Sequence, residues 1–215
     1  MIDVSKQRFK YQHTIPIPDL DSEAFCYWLG FILADGCITD TDSGSDRFII
    51  GLKQDDKDHL EKLRKWLRSN HPIRYIRKTK AYDFRIRSQG LCNMLGEFGV
   101  TPRKSLTACV DPRLKNNRHF WRGMIDGDGT IFIDTRDKLF CFGLLGTENV
   151  CIDFWNFCYD IDSTFNKVSI CKPPWNGYSV RCSGRKAKNI ARKLYGDCNI
   201  YLDRKKKLVE ENIDG

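Results

Sequence analysis

The chain has 215 residues, 41% of them hydrophobic, which is enough apolar material for one large domain or two small ones. Thirty-six Lys and Arg against 28 Asp and Glu leave a formal charge of +8, which suits a polyanionic partner such as nucleic acid. No apolar run reaches the roughly 18 residues of a membrane span, and Met1 to Lys10 lacks the apolar centre of a signal peptide, so an intracellular protein away from membranes is expected.

After an N-terminal arm, residues 1–21, either Ser22 or Asp21 is placed to N-cap a helix that is almost wholly apolar to Ala34, the composition of a buried helix, and Gly36 ends it. A hairpin follows, Cys37 to Thr41 and Arg47 to Lys53, and then a helix from Asp56 to Arg68 with Leu60, Leu63 and Leu67 on one face. The return strand of a second hairpin alternates, with Tyr82, Phe84 and Ile86 on one face and Asp83, Arg85 and Arg87 on the other. A helix from Gln89 to Phe98 closes this stretch, and residues 101–116 form a linker. Next come a helix from Asn117 to Gly127, a hairpin over Thr130 to Leu145, a helix from Glu148 to Tyr159, a hairpin over Lys167 to Ser183 and a helix from Arg185 to Tyr195. Asn199 to Glu211 reads as a terminal helix inside a basic C-terminal segment, residues 199–215.

The two halves are copies. Trp28-Leu-Gly-Phe-Ile-Leu-Ala-Asp-Gly36 and Trp121-Arg-Gly-Met-Ile-Asp-Gly-Asp-Gly129 agree at five of nine positions. The match extends downstream, pairing Phe48-Ile-Ile-Gly-Leu-Lys-Gln54 with Phe140-Cys-Phe-Gly-Leu-Leu-Gly146. The order αββαββα is therefore expected twice, over 22–100 and 117–198, in an α+β fold. None of the ten cysteines form a C-x-x-C pair, so a zinc site or a disulfide scaffold is not indicated. Cys26, Cys92, Cys141, Cys158 and Cys182 lie inside apolar patterns and read as buried reduced thiols.

Gly30 and Ala34 are four residues apart, as are Gly123 and Gly127, so each motif helix carries a stripe without bulk that lets two backbones approach. Packed there, the helices bring Asp35 and Asp128 side by side at their C-terminal ends. Two carboxylates at the negative ends of helix dipoles need something positive, and a hard divalent cation answers that need. Either Asp-Gly alone is an ordinary turn dipeptide; both at matching places in a duplication are not.

At these residues the chain resembles the LAGLIDADG homing endonuclease family in its single-chain, two-repeat form, over roughly Glu23 to Lys206. The resemblance implies two repeats about a pseudo-twofold axis, motif helices packed at the interface and two antiparallel sheets forming a DNA-binding saddle. It implies that Asp35 and Asp128, 93 residues apart (128 minus 35), bind catalytic Mg2+ (or Mn2+), with the Ala34 and Gly127 carbonyls completing the site. Gln54 falls where the family has a polar residue that positions water, with Gly146 at that place in the second copy. Lys104, and Lys205 or its neighbour Arg204, resemble basic residues near the scissile phosphates. Leu33 departs from the usual acid two positions before the catalytic one, and Asp126 keeps it; neither is expected to be catalytic. The implied reaction is attack of metal-activated water on one phosphodiester of each strand, leaving 3′ overhangs.

Alternation then names the side chains expected to face the major groove. In the first repeat these are Thr39, Thr41, Arg47, Lys53, Arg74, Arg77, Asp83, Arg85 and Arg87; in the second they are Asp134, Arg136, Lys138, Lys167, Ser169, Ser179 and Arg181. Leu139 and Cys141 also point outward, so unequal, non-palindromic half-sites are expected on double-stranded DNA read by a monomer. The rival expectations are an RNA-binding intron maturase on host intron RNA, a DNA-binding regulator without cleavage, and a nuclease-inactive host-interaction protein.

Overall fold

The computed structural model describes residues 10–39, 46–104, 107–165, 169–171 and 177–213, so the expected positions Thr41 and Lys167 lie outside it. The first repeat runs α1 (Glu23–Asp35), β1 (Gly36–Thr39), β2 (Arg47–Lys53), α2 (Lys57–Trp66), β3 (Ile73–Ile76), β4 (Ala81–Arg87) and α3 (Gln89–Glu97). The second runs α4 (Arg118–Asp128), β5 (Gly129–Ile133), β6 (Phe140–Gly146), α5 (Glu148–Ile161), β7 (Ser169–Cys171), β8 (Gly177–Ser183) and α6 (Arg185–Tyr195), and α7 (Asp203–Ile213) follows. The order αββαββα occurs twice, and each repeat builds one antiparallel four-stranded sheet, β1-β2-β4-β3 and β5-β6-β8-β7.

The helix starts follow from local capping. The Ser22 side chain, not Asp21, accepts from the Phe25 amide at 3.4 Å, and Asn117 accepts from His119 and Phe120 at 2.9 and 3.1 Å. Gly36 and Gly129, the residues that follow the two motif helices, are extended, with φ of −77° and −81°. They are glycines because of close approach, since a Cβ would sit 2.7 Å from the Ile32 carbonyl oxygen at Gly36 and 2.5 Å from that of Ile125 at Gly129. Each motif helix thus passes straight into an edge strand. The terminal helix starts later than expected because the Asn199 and Ile200 amides donate to the Glu23 carboxylate at 2.8 and 3.3 Å, holding 199–202 out of helix.

Strand pairing corrects the downstream half of the sequence match. Gly36 pairs with Ile50 and Gly129 with Leu144, so Phe48 corresponds to Phe142 and not to Phe140. A two-residue slip leaves every side chain on its own face, so the pleat pattern is blind to it. Gln54 then corresponds to Glu148, each four residues past the paired position, instead of to Gly146.

The α1–α4 contact joins the repeats and is the most extensive between any two elements. Gly30 lies against the backbone of Phe120 and Met124, and Gly123 against that of Tyr27 and Phe31. Around this axis a buried polar network ties the halves together. Tyr27 and Tyr195 donate their hydroxyls to the Asp126 carboxylate at 2.7 and 2.6 Å, and the Leu202 amide adds a third bond at 2.8 Å. The fully buried Arg122 donates to Glu23, Leu194 and Ile200. Such groups are stable inside only because their hydrogen-bonding capacity is met. Apolar packing runs unbroken through both repeats. Cys26, Cys92, Cys158 and Cys182 belong to it, whereas Cys141 is half-buried on the outer face of β6, one strand position away from the core side. Among the described residues no helix is long and apolar enough to cross a membrane.

Candidate active site

Asp35 and Asp128 are the last residues of α1 and α4, and the glycine stripe brings them together. A Cβ at Gly127 would touch the Asp35 carboxylate at 3.3 Å, so the Asp35 side chain crosses directly over the residue preceding Asp128. Burial pushes the Asp35 carboxyl up to about 6; the Asp128 charge adds to this, while Lys205 and Lys104 hold it back. Asp128 opens to solvent on one side, yet protein on its other sides raises its carboxyl too, against the pull of Lys104 and Lys205.

The positive complement is partly supplied by the chain itself. Lys104, from the segment after the first repeat, donates its Nζ to the Ala34 carbonyl at 2.9 Å and is only 8% exposed. Lys205, from α7, donates to the carbonyls of Ile125, Asp126 and Gly129 at 2.5, 2.9 and 2.7 Å. Each lysine thus caps the carbonyl end of one motif helix, where a cation opposes the helix dipole. Burial brings the Lys205 amine down to about 8, against the nearby Asp126 and Asp35 carboxylates. Lys205 spends all three of its donors inside the fold, which differs from the expectation of a side chain free to reach a phosphate. The Ala34 carbonyl expected as a metal ligand already accepts from Lys104, leaving it one lone pair.

Lys205→Ala should therefore act first on stability. Two carbonyls at the end of α4 and that of Gly129, which opens β5, lose their partner, and a loss of about 3 kcal/mol is expected. Urea unfolding checks this, and a wild-type midpoint would return Lys205 to the status of a surface charge.

A recess of about 230 Å³ lies beside Asp128, lined also by Ala34, Lys104, Leu145, Gly146 and Thr147 among others. Among the described residues no cluster of three or more His, Cys, Asp and Glu exists, so a closed protein cage for a metal is not built. Two neighbouring carboxylates with raised pKa values, one of them exposed, fit a different donor set, that of Mg2+ held by one or two carboxylates with phosphate oxygens and waters. Gln54 heads a short 3-10 turn and is exposed. The residue of that turn that Asp35 feels is Asp56, which sequence reasoning missed. It is buried, bonded by Arg204 Nε at 3.0 Å, and its charge acts on both Asp35 and Lys205. Its only signal in the sequence is an acid opening a helix, and its partner lies 148 residues away.

On the first sheet, Thr39, Arg47, Lys53, Arg74, Asp83, Arg85 and Arg87 share the face opposite the core, with Arg74 paired to Asp83 and Arg87 to Arg47. Asp83 forms an ion pair with Arg85 on that face. Arg77 is not on a strand; it sits in the exposed turn between β3 and β4. In the second repeat β5 ends at Ile133, so Asp134, Arg136 and Lys138 belong to the hairpin tip and not to the alternating face. There Asp134 accepts from the Arg136 and Asp137 amides, which closes the turn. Arg181 is exposed as expected. Ser179, though opposite Leu145 and Ser169 in register, is only 3% exposed, unlike Arg181 on the same strand. It is closed to a base.

Solved structures supply the comparison. The LAGLIDADG homing endonuclease I-LtrWI bound to target DNA is similar at 12% identity and a TM-score of 0.56, with 91% of each chain covered. The chain has the fold of the LAGLIDADG homing endonucleases. I-GzeII of that fold, in complex with a DNA target, is similar at 11% identity and a TM-score of 0.58, over 88% of this chain and 89% of that one. The LAGLIDADG meganuclease I-AabMI bound to uncleaved DNA is similar at 16% identity and a TM-score of 0.55, over 87% and 89%. No protein-family model and no curated protein matches the sequence.

Proposed function

We propose that the chain is a site-specific double-strand DNA endonuclease that cuts a long, non-palindromic site by divalent-metal-dependent hydrolysis. The juxtaposition of Asp35 with Gly127 and Asp128 at the base of the paired helices carries the reading. Asp35 and Asp128 would hold Mg2+ (or Mn2+), which when bound supplies Lewis-acid polarisation of the phosphodiester and a water of lowered pKa. The chain's own part is to hold these two carboxylates charged and fixed. Lys104 and Lys205 do so by neutralising the helix ends from behind, and the Asp126 network sets the approach of the helices. The outer sheet faces bind the duplex, with Arg85, Arg87 and Arg47 suited to guanine and Lys53 to phosphate. With both halves on one polypeptide, a monomer supplies one acid per strand.

The test is incubation of the full chain with a randomised duplex library in Mg2+, sequencing the cut ends, with Ca2+ as the binding-only control. One recurrent cut sequence with 3′ overhangs is expected. Capture of structured RNA with no duplex cut would move the assignment to the maturase class, and duplex capture in Ca2+ without cutting in Mg2+ to a cleavage-inactive DNA-binding protein.

A further inference from the structure

The strand pairing sets up a residue-by-residue comparison of the two outer faces. Thr39 corresponds to Phe132, Arg47 to Cys141, Gly51 to Leu145, Asp83 to Ser179 and Arg87 to Ser183, while Arg85 keeps its type as Arg181. The first face holds a recess of about 340 Å³ lined by Arg47, Arg74, Arg85 and Arg87 with Asp83 and Tyr11. The second holds one of about 250 Å³ lined by Thr130, Phe132, Cys141, Gly143, Arg181 and Ser183. Phe132 is 44% exposed there, and Leu145, 39% exposed, lies farther along β6, where it lines the recess beside Asp128. Gly143 lacks a Cβ where one would lie 2.8 Å from the Arg181 side chain, so the Arg181 stem lies flat across the sheet.

We infer that the two half-sites differ in kind: the first repeat reads guanines, and the second reads thymine methyl groups and so takes an A·T-rich half. This rests on the proposed reading that both outer faces lie in the major groove, and it names what each is matched to. Four arginines around one recess suit the O6 and N7 acceptors of guanine. A face with Phe132, Leu145 and Cys141 gains little from those acceptors, and burying them unpaired against apolar groups is costly. The apolar group that the major groove offers is the thymine C5 methyl. Phe132, exposed beside the recess of that face and paired across the strands with Cys141, is placed to meet such a methyl.

Two randomised duplex libraries, one with thymine and one with deoxyuridine throughout, are bound to the full chain in Ca2+, alongside Arg87→Ala and Phe132→Ser. The substituted side chains are exposed, and melting curves verify folding. The expected product has one half with guanine preferences relaxed by Arg87→Ala. Its other half is A·T-rich, is relaxed by Phe132→Ser and loses its preference in the deoxyuridine library, at about fourfold in affinity per methyl removed. If the Phe132-dependent half prefers G·C, is the same in both libraries, or cannot be found because Phe132→Ser changes neither half, the inference fails while DNA binding stands. Recovery of no duplex at all overturns the DNA-binding reading and the inference with it.

Discussion

Asp35→Asn and Asp128→Asn are each expected to reduce double-strand cutting roughly a thousandfold or more, because each removes a charge that no neighbour can replace at the phosphodiester. Duplex affinity in Ca2+ should remain, since the arginines of the outer sheet faces are untouched. Asp35→Asn carries a second expected result of opposite sign. In EDTA, the folded chain keeps a proton on Asp35 up to about pH 6, whereas the unfolded chain gives it up near 3.8. The folded state therefore binds more protons in that window, and stability from this group is full below about pH 4 and lost as pH rises to 6. At pH 7.5 without divalent ions the amide should then make the protein more stable by up to about 3 kcal/mol. Divalent ions should raise the melting temperature of the wild type more than that of the variant. Full cutting by either variant would remove the acids from the site. A less stable Asp35→Asn protein would show that the carboxylate is held by favourable bonds and not by the packing of its neighbours.

That acids and glycines were legible in the sequence, while lysines and register were not, has a physical basis. Asp35, Gly36, Asp128 and Gly129 sit in contiguous segments whose demands are local: a small residue every fourth position, a close approach at the helix end, an acid between them. Periodicity of side chains likewise gave the strands and their core faces, because Phe84 and Ile86 alternate with Arg85 and Arg87 whatever their partners do. Pairing register is a property of two strands at once. A slip of two keeps the pleat, so Phe48 aligned with Phe140 as well as with its true counterpart Phe142. The lysine caps are more distant still, with 70 residues between Lys104 and Ala34 and 79 between Lys205 and Asp126. A basic run at the chain surface and a lysine sealed under a helix end have the same sequence. The hairpin tip around Asp134 to Lys138 misled for a related reason, since alternation can be continued on paper past the point where Asp134 turns the chain.

The largest structural effect is expected from Gly30→Ala and Gly123→Ala. In ordinary helices such a change is stabilising, because alanine loses less backbone freedom on folding, by about 0.5–1 kcal/mol. Gly96 in α3, where an added Cβ would meet nothing within 4 Å, should behave in that way. At Gly30 the new methyl would instead be driven into the Phe120 carbonyl and lie 3.0 Å from the Met124 amide nitrogen; at Gly123 it would strike the Tyr27 carbonyl and lie 2.7 Å from the Phe31 amide nitrogen. Both obstacles are backbone, which no rotamer change can clear, so the helices must part, at a cost of about 3 kcal/mol or more. Parting them also opens the Tyr27–Asp126 bond that crosses the axis and moves Asp35 away from Asp128. Urea unfolding of the three variants separates the cases: Gly96→Ala at or above the wild type, Gly30→Ala and Gly123→Ala well below it. Where the latter two still fold at low temperature, cutting should fall more than duplex binding, because the sheets survive and the spacing of the acids does not. A wild-type midpoint for Gly30→Ala would mean that the helices do not meet backbone to backbone, and the geometry that sets the two carboxylates side by side would have to be abandoned.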